Sequence, residues 1–234
     1  MDLVQQRCHD CLVRDTSLCS SLSDGELVAL SQMGRRRTVP AGQVVTCAGD
    51  PVTSYANVVS GALKVAASTA DGREQIVGLL FPGDFMGQLF ADEASLTITA
   101  LTPADLCSFP RVGFERQLDC HARMERMLLE RTAASLNEAR ERMLALARKN
   151  AGERVAGFIV QLARHAGTRN AEGGVEVTIP ISRGEMAAFL GLTIETVSRQ
   201  LTRLKAAGLV DFVKAERRLV VVDMRGLEGV AETG

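Results

Sequence analysis

Residues 182–208 read SRGEMAAFLGLTIETVSRQLTRLKAAG. Ser182-Arg183-Gly184-Glu185 has the S-x-x-E spacing of a capping box, in which the serine and glutamate side chains satisfy unpaired N–H groups at a helix start. The helix it opens covers Met186 to Leu190 and stops at Gly191. Thr193 is a natural N-cap for a second helix over about 194–206, ended by Gly208. Two short helices joined through a glycine turn form a helix-turn-helix. Ile194, Val197, Leu201 and Leu204 repeat at helical spacing and predict an inward face. Glu195, Ser198, Arg199, Thr202 and Arg203 then point outward. Those side chains suit base reading: Glu accepts from cytosine N4, Arg forks onto guanine O6 and N7, and Ser serves either role. Leu209–Val222 follows as a predicted hairpin wing, with Lys214, Arg217 and Arg218 at its bend suited to phosphate.

Working outward, the rest of the chain supplies a scaffold for this end. The charge between residues 196 and 218 sums to +4, although the 234-residue chain carries −1 overall, so the near-neutral total hides a basic end. Residues 151–166 predict an apolar helix and 167–175 a loop. From 112 to 148 helix formers dominate, and Leu129, Thr132, Leu136, Ala139, Met143 and Leu146 fall on an a/d seam. A helix of that length cannot lie wholly on one small barrel, so the seam predicts a homodimer, the alternative being an amphipathic core helix in a monomer. From about 35 to 110, short β-prone runs alternate with turns such as Pro40-Ala41-Gly42, Gly49-Asp50-Pro51 and Pro82-Gly83-Asp84, the grammar of a barrel or jelly roll. Residues 21–34 read as a short helix capped by Ser21 or Ser23.

The expected fold is therefore α+β. A cysteine-rich segment (1–20) precedes a β-barrel or jelly roll (21–111), a dimerisation helix (112–148) and a winged helix-turn-helix domain (149–234). No apolar run reaches membrane-spanning length and Gln5, Gln6, Arg7 and Asp10 interrupt any leader, so the expectation is a cytoplasmic protein with no membrane partner. No catalytic acid/base pair or nucleotide loop appears, so an enzyme is not expected, and the helix-turn-helix argues against a ferredoxin-like protein.

Six cysteines are present, and Cys8-x2-Cys11-x7-Cys19 crowd the start. Such a cluster in a cytoplasmic chain suggests metal or redox chemistry before disulfides. An iron–sulfur cluster takes four thiolates, the fourth from Cys47, Cys107 or Cys120. Zinc on four cysteines, or on three and His9, is a second possibility. A Cys8–Cys11 dithiol switch is a third, and a haem with His121 or Cys47 as axial ligand a fourth. Otherwise His9, His121 and His165 are read as structural.

The stretch Gly191-Leu192-Thr193-Ile194-Glu195-Thr196-Val197-Ser198-Arg199 resembles the DNA-binding helices of CRP/FNR transcription regulators, with the Glu-x-x-Ser-Arg pattern of the FNR branch. Gly61–Val65, Asp71–Ile76 and Pro82–Gly87 resemble that family's sensor barrel, which implies a jelly-roll β-barrel of the cyclic-nucleotide-binding type over 21–111, and Lys149–Gln161 resemble the segment after its long helix. The resemblance implies a homodimer on an inverted repeat of TTGAT-type half-sites. In it Glu195 reads the C opposite G, Arg199 the G and Ser198 an adjacent base, with Ile194 against the DNA at the helix start. It selects Cys107 as fourth ligand of a [4Fe–4S] cluster with Cys8, Cys11 and Cys19, and so implies oxygen sensing; Cys47 and Cys120 are then read as small buried residues. It implies RNA polymerase contact through barrel loops, with Gly72-Arg73 as candidate. Cyclic nucleotide is not expected: Gly87-Gln88 and residues 95–99 lack the family's phosphate-binding Glu and Arg, and no Arg or Lys lies between Arg73 and Arg111. Ala139 stands where some members have an acidic residue, which implies a tighter dimer.

Overall fold

The computed structural model describes residues 8–68, 74–212 and 217–232. Lys214, Gly72 and Arg73 lie outside the described residues. The chain divides into two compact units, Met1–Leu136 and Asn137–Gly234.

In the first unit, Leu18–Ser21 form a 3-10 turn capped by Ser17, and α1 covers Asp24–Met33. Ser23, rather than Ser21, caps α1 through a full capping box with Glu26. Eight strands follow: β1 (Arg35–Val39), β2 (Val44–Thr46), β3 (Ser54–Ser60), β4 (Leu63–Ser68), β5 (Glu74–Leu80), β6 (Phe85–Met86), β7 (Thr97–Ala100) and β8 (Ala104–Pro110). They form two antiparallel four-stranded sheets, ordered β1-β8-β3-β6 and β2-β7-β4-β5. This double sheet is the jelly roll expected from the turn spacing.

Strand alternation gives this unit two cores. Val39, Val58, Leu63, Ile98 and Leu106 pack between the sheets. The outer face of the β8 sheet sends Tyr55 and Phe109 into a second core with Leu18, Leu22, Leu27, Leu30, Phe114, Leu118, Met124 and Leu128. Successive residues on a strand point to opposite faces. Thus Leu106 faces the sandwich while Cys107 faces the helices and the N-terminal segment.

The single helix expected over 112–148 is two: α2 (Arg111–Cys120) and α3 (Ala122–Arg148). His121 makes the break. Its N–H donates to the Gln117 and Leu118 carbonyls, closing α2, while its own carbonyl accepts from Met124 and Glu125, opening α3. Its ring also bonds Gln117 and stands 3.4 Å from Glu26. Along α3 only Met124 and Leu128 are buried. Leu129, Thr132, Leu136, Ala139, Met143 and Leu146 are all exposed, Leu129 at 68% and Met143 at 62%.

The second unit takes the rest of α3 and then α4 (Ala151–Ala166), β9 (Thr168–Arg169), β10 (Val175–Thr178), α5 (Arg183–Leu190), α6 (Ile194–Ala206), β11 (Val210–Phe212), β12 (Arg218–Val221) and α7 (Met224–Glu232). Asn150 and Glu153 form a capping box at the start of α4. Residues 167–175, expected as loop, contain β9, which extends the wing to a four-stranded sheet ordered β11-β12-β10-β9. The apolar faces of α4, α5 and α6 close the core, with Phe158 and Phe189 meeting edge to face at 5.5 Å. Among the described residues, no helix is long and apolar enough to cross a membrane.

Candidate functional site

The helix pair at 183–206 is built by its own local sequence. Ser182 Oγ accepts from the Glu185 N–H at 3.2 Å, and Glu185 returns a carboxylate to the Ser182 N–H at 2.8 Å. Gly191 ends α5 in the left-handed region at φ 62°, where a Cβ would stand 3.1 Å from Leu146 Cδ2. Thr193 Oγ1 then accepts from the Thr196 N–H and caps α6. Val197, Leu201 and Leu204 are buried, as their spacing requires. Ile194 is not: it is 51% exposed, because the first residue of α6 precedes the turns that pack on neighbouring helices. Gln200 is buried instead, with its amide beside Gly152. Its polarity hid this from a count of apolar residues.

The outward face carries Glu195, Arg199, Thr202 and Arg203, all exposed, with Ser198 half-buried. The Glu195 carboxyl lies below its usual range because its own backbone N–H and the Thr193 hydroxyl donate to it. It is therefore an acceptor at neutral pH, as cytosine N4 demands. Arg183 Nη1 donates to Ser198 Oγ at 3.1 Å, fixing the hydroxyl from the neighbouring helix. The side chains of Arg199 and Arg203 make no hydrogen bond or ion pair among the described residues and extend from the surface. Part of the basic stretch is neutralised internally, since Lys205 pairs with Asp211 at 2.7 Å and Arg218 with Glu176 at 2.6 Å. Arg217, at the bend end of the hairpin, donates to the Pro180 carbonyl.

The second cluster lies in the first unit. Cys8, Cys11, Cys19 and Cys107 line one cavity with Val13, Arg14, Asn57 and Phe109. Turns hold the segment: Cys11 N–H meets the Cys8 carbonyl, Arg14 N–H that of Cys11, and Ser17 N–H that of Val13. Buried Val13 and Leu18 anchor it. Cys107 sits on β8 directly between Arg36 on β1 and Asn57 on β3. Those flanking residues each reach a different thiol: Asn57 Nδ2 donates to Cys19 Sγ at 3.6 Å, and Arg36 Nη2 to Cys11 Sγ at 3.8 Å. Asn57 is buried, and its Oδ1 has no hydrogen-bond partner among the described residues. The cavity is small, about 20 Å³, room for one water.

Burial, and after it the neighbouring Cys19 and Cys8 thiols, push Cys107 up to about 12; burial also raises Cys19. Protonated thiols are poor nucleophiles, whereas metal binding releases the proton. A lone zinc needs four donors at about 2.3 Å or less; among the described residues no group of three or more His, Cys, Asp or Glu side chains is arranged to hold a metal ion. Four sulfur donors, two N–H donors aimed at them and an apolar surround match the donor chemistry of an iron–sulfur cluster, which would require the thiols to spread beyond the present cavity. Cys47 and Cys120 are exposed rather than buried, on a surface turn and at the end of α2. This overturns the expectation of small buried residues, which rested only on the resemblance assigning them no ligand role; a helix end and a turn leave both side chains at the surface.

Within the jelly roll, Val45, Val65, Leu80, Phe85, Met86, Gln88 and Ile98 line a cavity of about 330 Å³. Gln88 bonds Ser95 through both its amide nitrogen and its oxygen. Arg37 of β1 also lines it, a cation that the count between Arg73 and Arg111 did not include.

Comparison with known proteins agrees with both units. Residues 36–121 match the cyclic nucleotide-binding domain family, and residues 153–230 the Crp-like helix-turn-helix domain family. The transcriptional activator protein FnrL of Cereibacter sphaeroides is 37% identical over 227 residues, covering 96% of this chain and 91% of that protein. The nitrogen fixation regulation protein FixK of Bradyrhizobium diazoefficiens is 34% identical over 206 residues, covering 88% and 86%. The structure of FixK2 from Bradyrhizobium japonicum superposes with a TM-score of 0.78 at 28% identity, covering 86% of this chain and 98% of that one. These relatives are regulators rather than enzymes. With a jelly roll of the one family, a capped recognition helix of the other and full-length relatives of this kind, the chain belongs to the CRP/FNR family of DNA-binding transcription regulators.

Proposed function

We propose that this regulator is an oxygen-responsive transcriptional activator that binds inverted repeats of TTGAT-type half-sites as a homodimer, with a [4Fe–4S] cluster on Cys8, Cys11, Cys19 and Cys107. The observation that carries it is the cavity shared by three thiols of the N-terminal segment and one of β8. When bound, the cluster supplies an oxygen-labile crosslink between that segment and the barrel. Asn57 and Arg36 donate N–H groups to sulfur, and Arg36 offsets part of the thiolates' negative charge. The seated segment shares a core with Met124 and Leu128 of α3. Seating it therefore favours one placement of α3 over others. A differential stabilisation of about 5.5 kcal/mol is enough to carry a two-state equilibrium from 1:99 to 99:1.

Support for the homodimer comes from the apolar seam, since exposed contiguous apolar surface marks an interaction site. Two-fold symmetry then sets two recognition helices on an inverted repeat. Glu195 reads cytosine, Arg199 the paired guanine and Ser198 a neighbouring base, with Ile194 against the DNA at the start of α6. Arg203, Arg217 and Lys214 meet phosphate. Barrel loops, Gly72-Arg73 among them, contact RNA polymerase. No cyclic nucleotide is required.

The test is anaerobic iron and sulfide quantification on the full chain and on Cys107→Ala. A brown protein that bleaches in air, with its iron lost in Cys107→Ala, is the expected result. A colourless protein carrying one zinc per chain sinks the reading.

A further inference from the structure

We infer that Arg131, on α3, is a positioning residue that transmits the seating of the cysteine segment to the seam of that helix; the inference rests on the function proposed above. Arg131 Nη1 donates to the Gly83 carbonyl at 2.8 Å, in the turn between β5 and β6. Its Nη2 donates to the carbonyl of Thr16, which lies in the segment between Cys11 and Cys19. One guanidinium thus holds two carbonyls from parts of the chain far apart in sequence. A planar fork with several fixed donors spans two such acceptors with less loss of side-chain freedom than an ammonium does.

The two acceptors meet only while the segment lies on the barrel. Gly83, at φ 96°, is so close to Thr16 that a Cβ there would stand 3.0 Å from its Oγ1 and 3.3 Å from its carbonyl oxygen. One turn earlier on α3, Ser20 Oγ donates to Met127 Sδ at 3.5 Å, and Leu128 is buried in the core that holds Leu18 and Leu22. Immediately beside Arg131, Leu129 and Thr132 are exposed on the seam. Arg131 therefore stands where α3 passes from buried to exposed. Departure of the segment removes one of the two acceptors from a half-buried cation, which penalises the seated geometry of this turn. The four thiols decide whether the segment is seated, and Arg131 conveys that state to the neighbouring seam residues.

The experiment uses the full chain purified without oxygen, as wild type, Arg131→Ala and Arg131→Lys. Each is measured for iron, and for affinity to an inverted repeat of TTGAT-type half-sites before and after iron removal. Arg131→Ala is expected to keep wild-type iron. Its ratio of affinities between the two forms, about 5–150-fold for couplings of ordinary size, falls several-fold, with the Met124 and Leu128 core contacts carrying what remains. Arg131→Lys keeps the charge but not the fork, and lies between. Wild-type iron with an undiminished ratio in Arg131→Ala overturns the proposal. If Arg131→Ala does not fold, an undiminished ratio in Arg131→Lys overturns it equally. A wild-type chain that takes up no iron instead rejects the cluster. In that case hydrogen exchange at the Thr16, Ser17 and Leu18 amides decides, since Arg131→Ala accelerates it only if the link holds the segment.

Discussion

The recognition helices and the cysteine site are both small clusters of polar and sulfur side chains, but they are assembled over different distances along the chain. In the helix pair, each determining contact spans a few residues: Ser182 with Glu185, Gly191 as the turn, Thr193 with Thr196. At the cysteine site the partners come from the N-terminal segment, β1, β3 and β8, and only the sheet register brings Arg36 and Asn57 to either side of Cys107. The first cluster should tolerate damage elsewhere, while the second should fail when any one of its elements is displaced. Substitutions in the two places separate these behaviours.

The largest effect is expected at Cys107. Cys107→Ala removes the only one of the four thiols that belongs to the barrel, so iron retention under anaerobic purification should be lost entirely. Cys47→Ala and Cys120→Ala, at exposed positions outside the cavity, should keep wild-type iron. Equal loss in all three would mean that the cavity does not select its ligands. On the other side of the comparison, Arg199→Ala should leave iron untouched and cost about 1–3 kcal/mol in half-site affinity, relaxing preference at one base pair only. Arg203→Ala should weaken binding to all sequences alike and reduce the salt slope by about 0.9. Binding titrations at several salt concentrations distinguish the two.

A smaller effect tests the local construction of the helix pair itself. Gly191→Ala puts a Cβ into left-handed backbone and 3.1 Å from Leu146. About 1–2 kcal/mol of destabilisation follows from the conformation, read as a lowered urea midpoint. A midpoint unchanged from wild type would show that the turn relaxes to another conformation.

The same contrast explains what could be read from the residues alone. The capping box at Ser182 and Glu185, the glycine turn, the jelly-roll punctuation and the buried stripe of Val197, Leu201 and Leu204 are all local or periodic, and the structure reproduces them. The break at His121 escaped because nothing near it is Pro or Gly; its ring bond to Gln117 is local but has no distinctive residue signature, and its approach to Glu26 is tertiary. Asn57 and Arg36 escaped because β3 and β1 are remote from the cysteines they touch. Cys107 itself came from family likeness, since spacing left Cys47 and Cys120 as equal candidates. The buried state of Gln200 was invisible because a polar side chain carries no hydrophobic signal.

The smallest effect concerns Glu26, where a local cap and a long-range contact share one side chain. Its carboxylate accepts from the backbone N–H and hydroxyl of Ser23 at 2.7 Å each, and meets Arg123 at 2.7 Å and His121 at 3.4 Å at the start of α3. The Ser23 hydrogen bonds first, with smaller help from Arg123 and His121, lower its pKa from 4.5 to about 2. A carboxylate depressed on folding stabilises the native state fully above its unfolded value, and that stabilisation is lost as pH falls through the folded value. The window here is from about 4.5 down to about 2. Glu26→Gln retains an acceptor for the capping box but not the charge. The difference in thermal midpoint between wild type and Glu26→Gln should therefore be largest near neutral pH and shrink as the pH approaches about 2. A gap that stays constant across this range would mean that the cap alone matters, and that the charge linking α1 to the start of α3 contributes nothing.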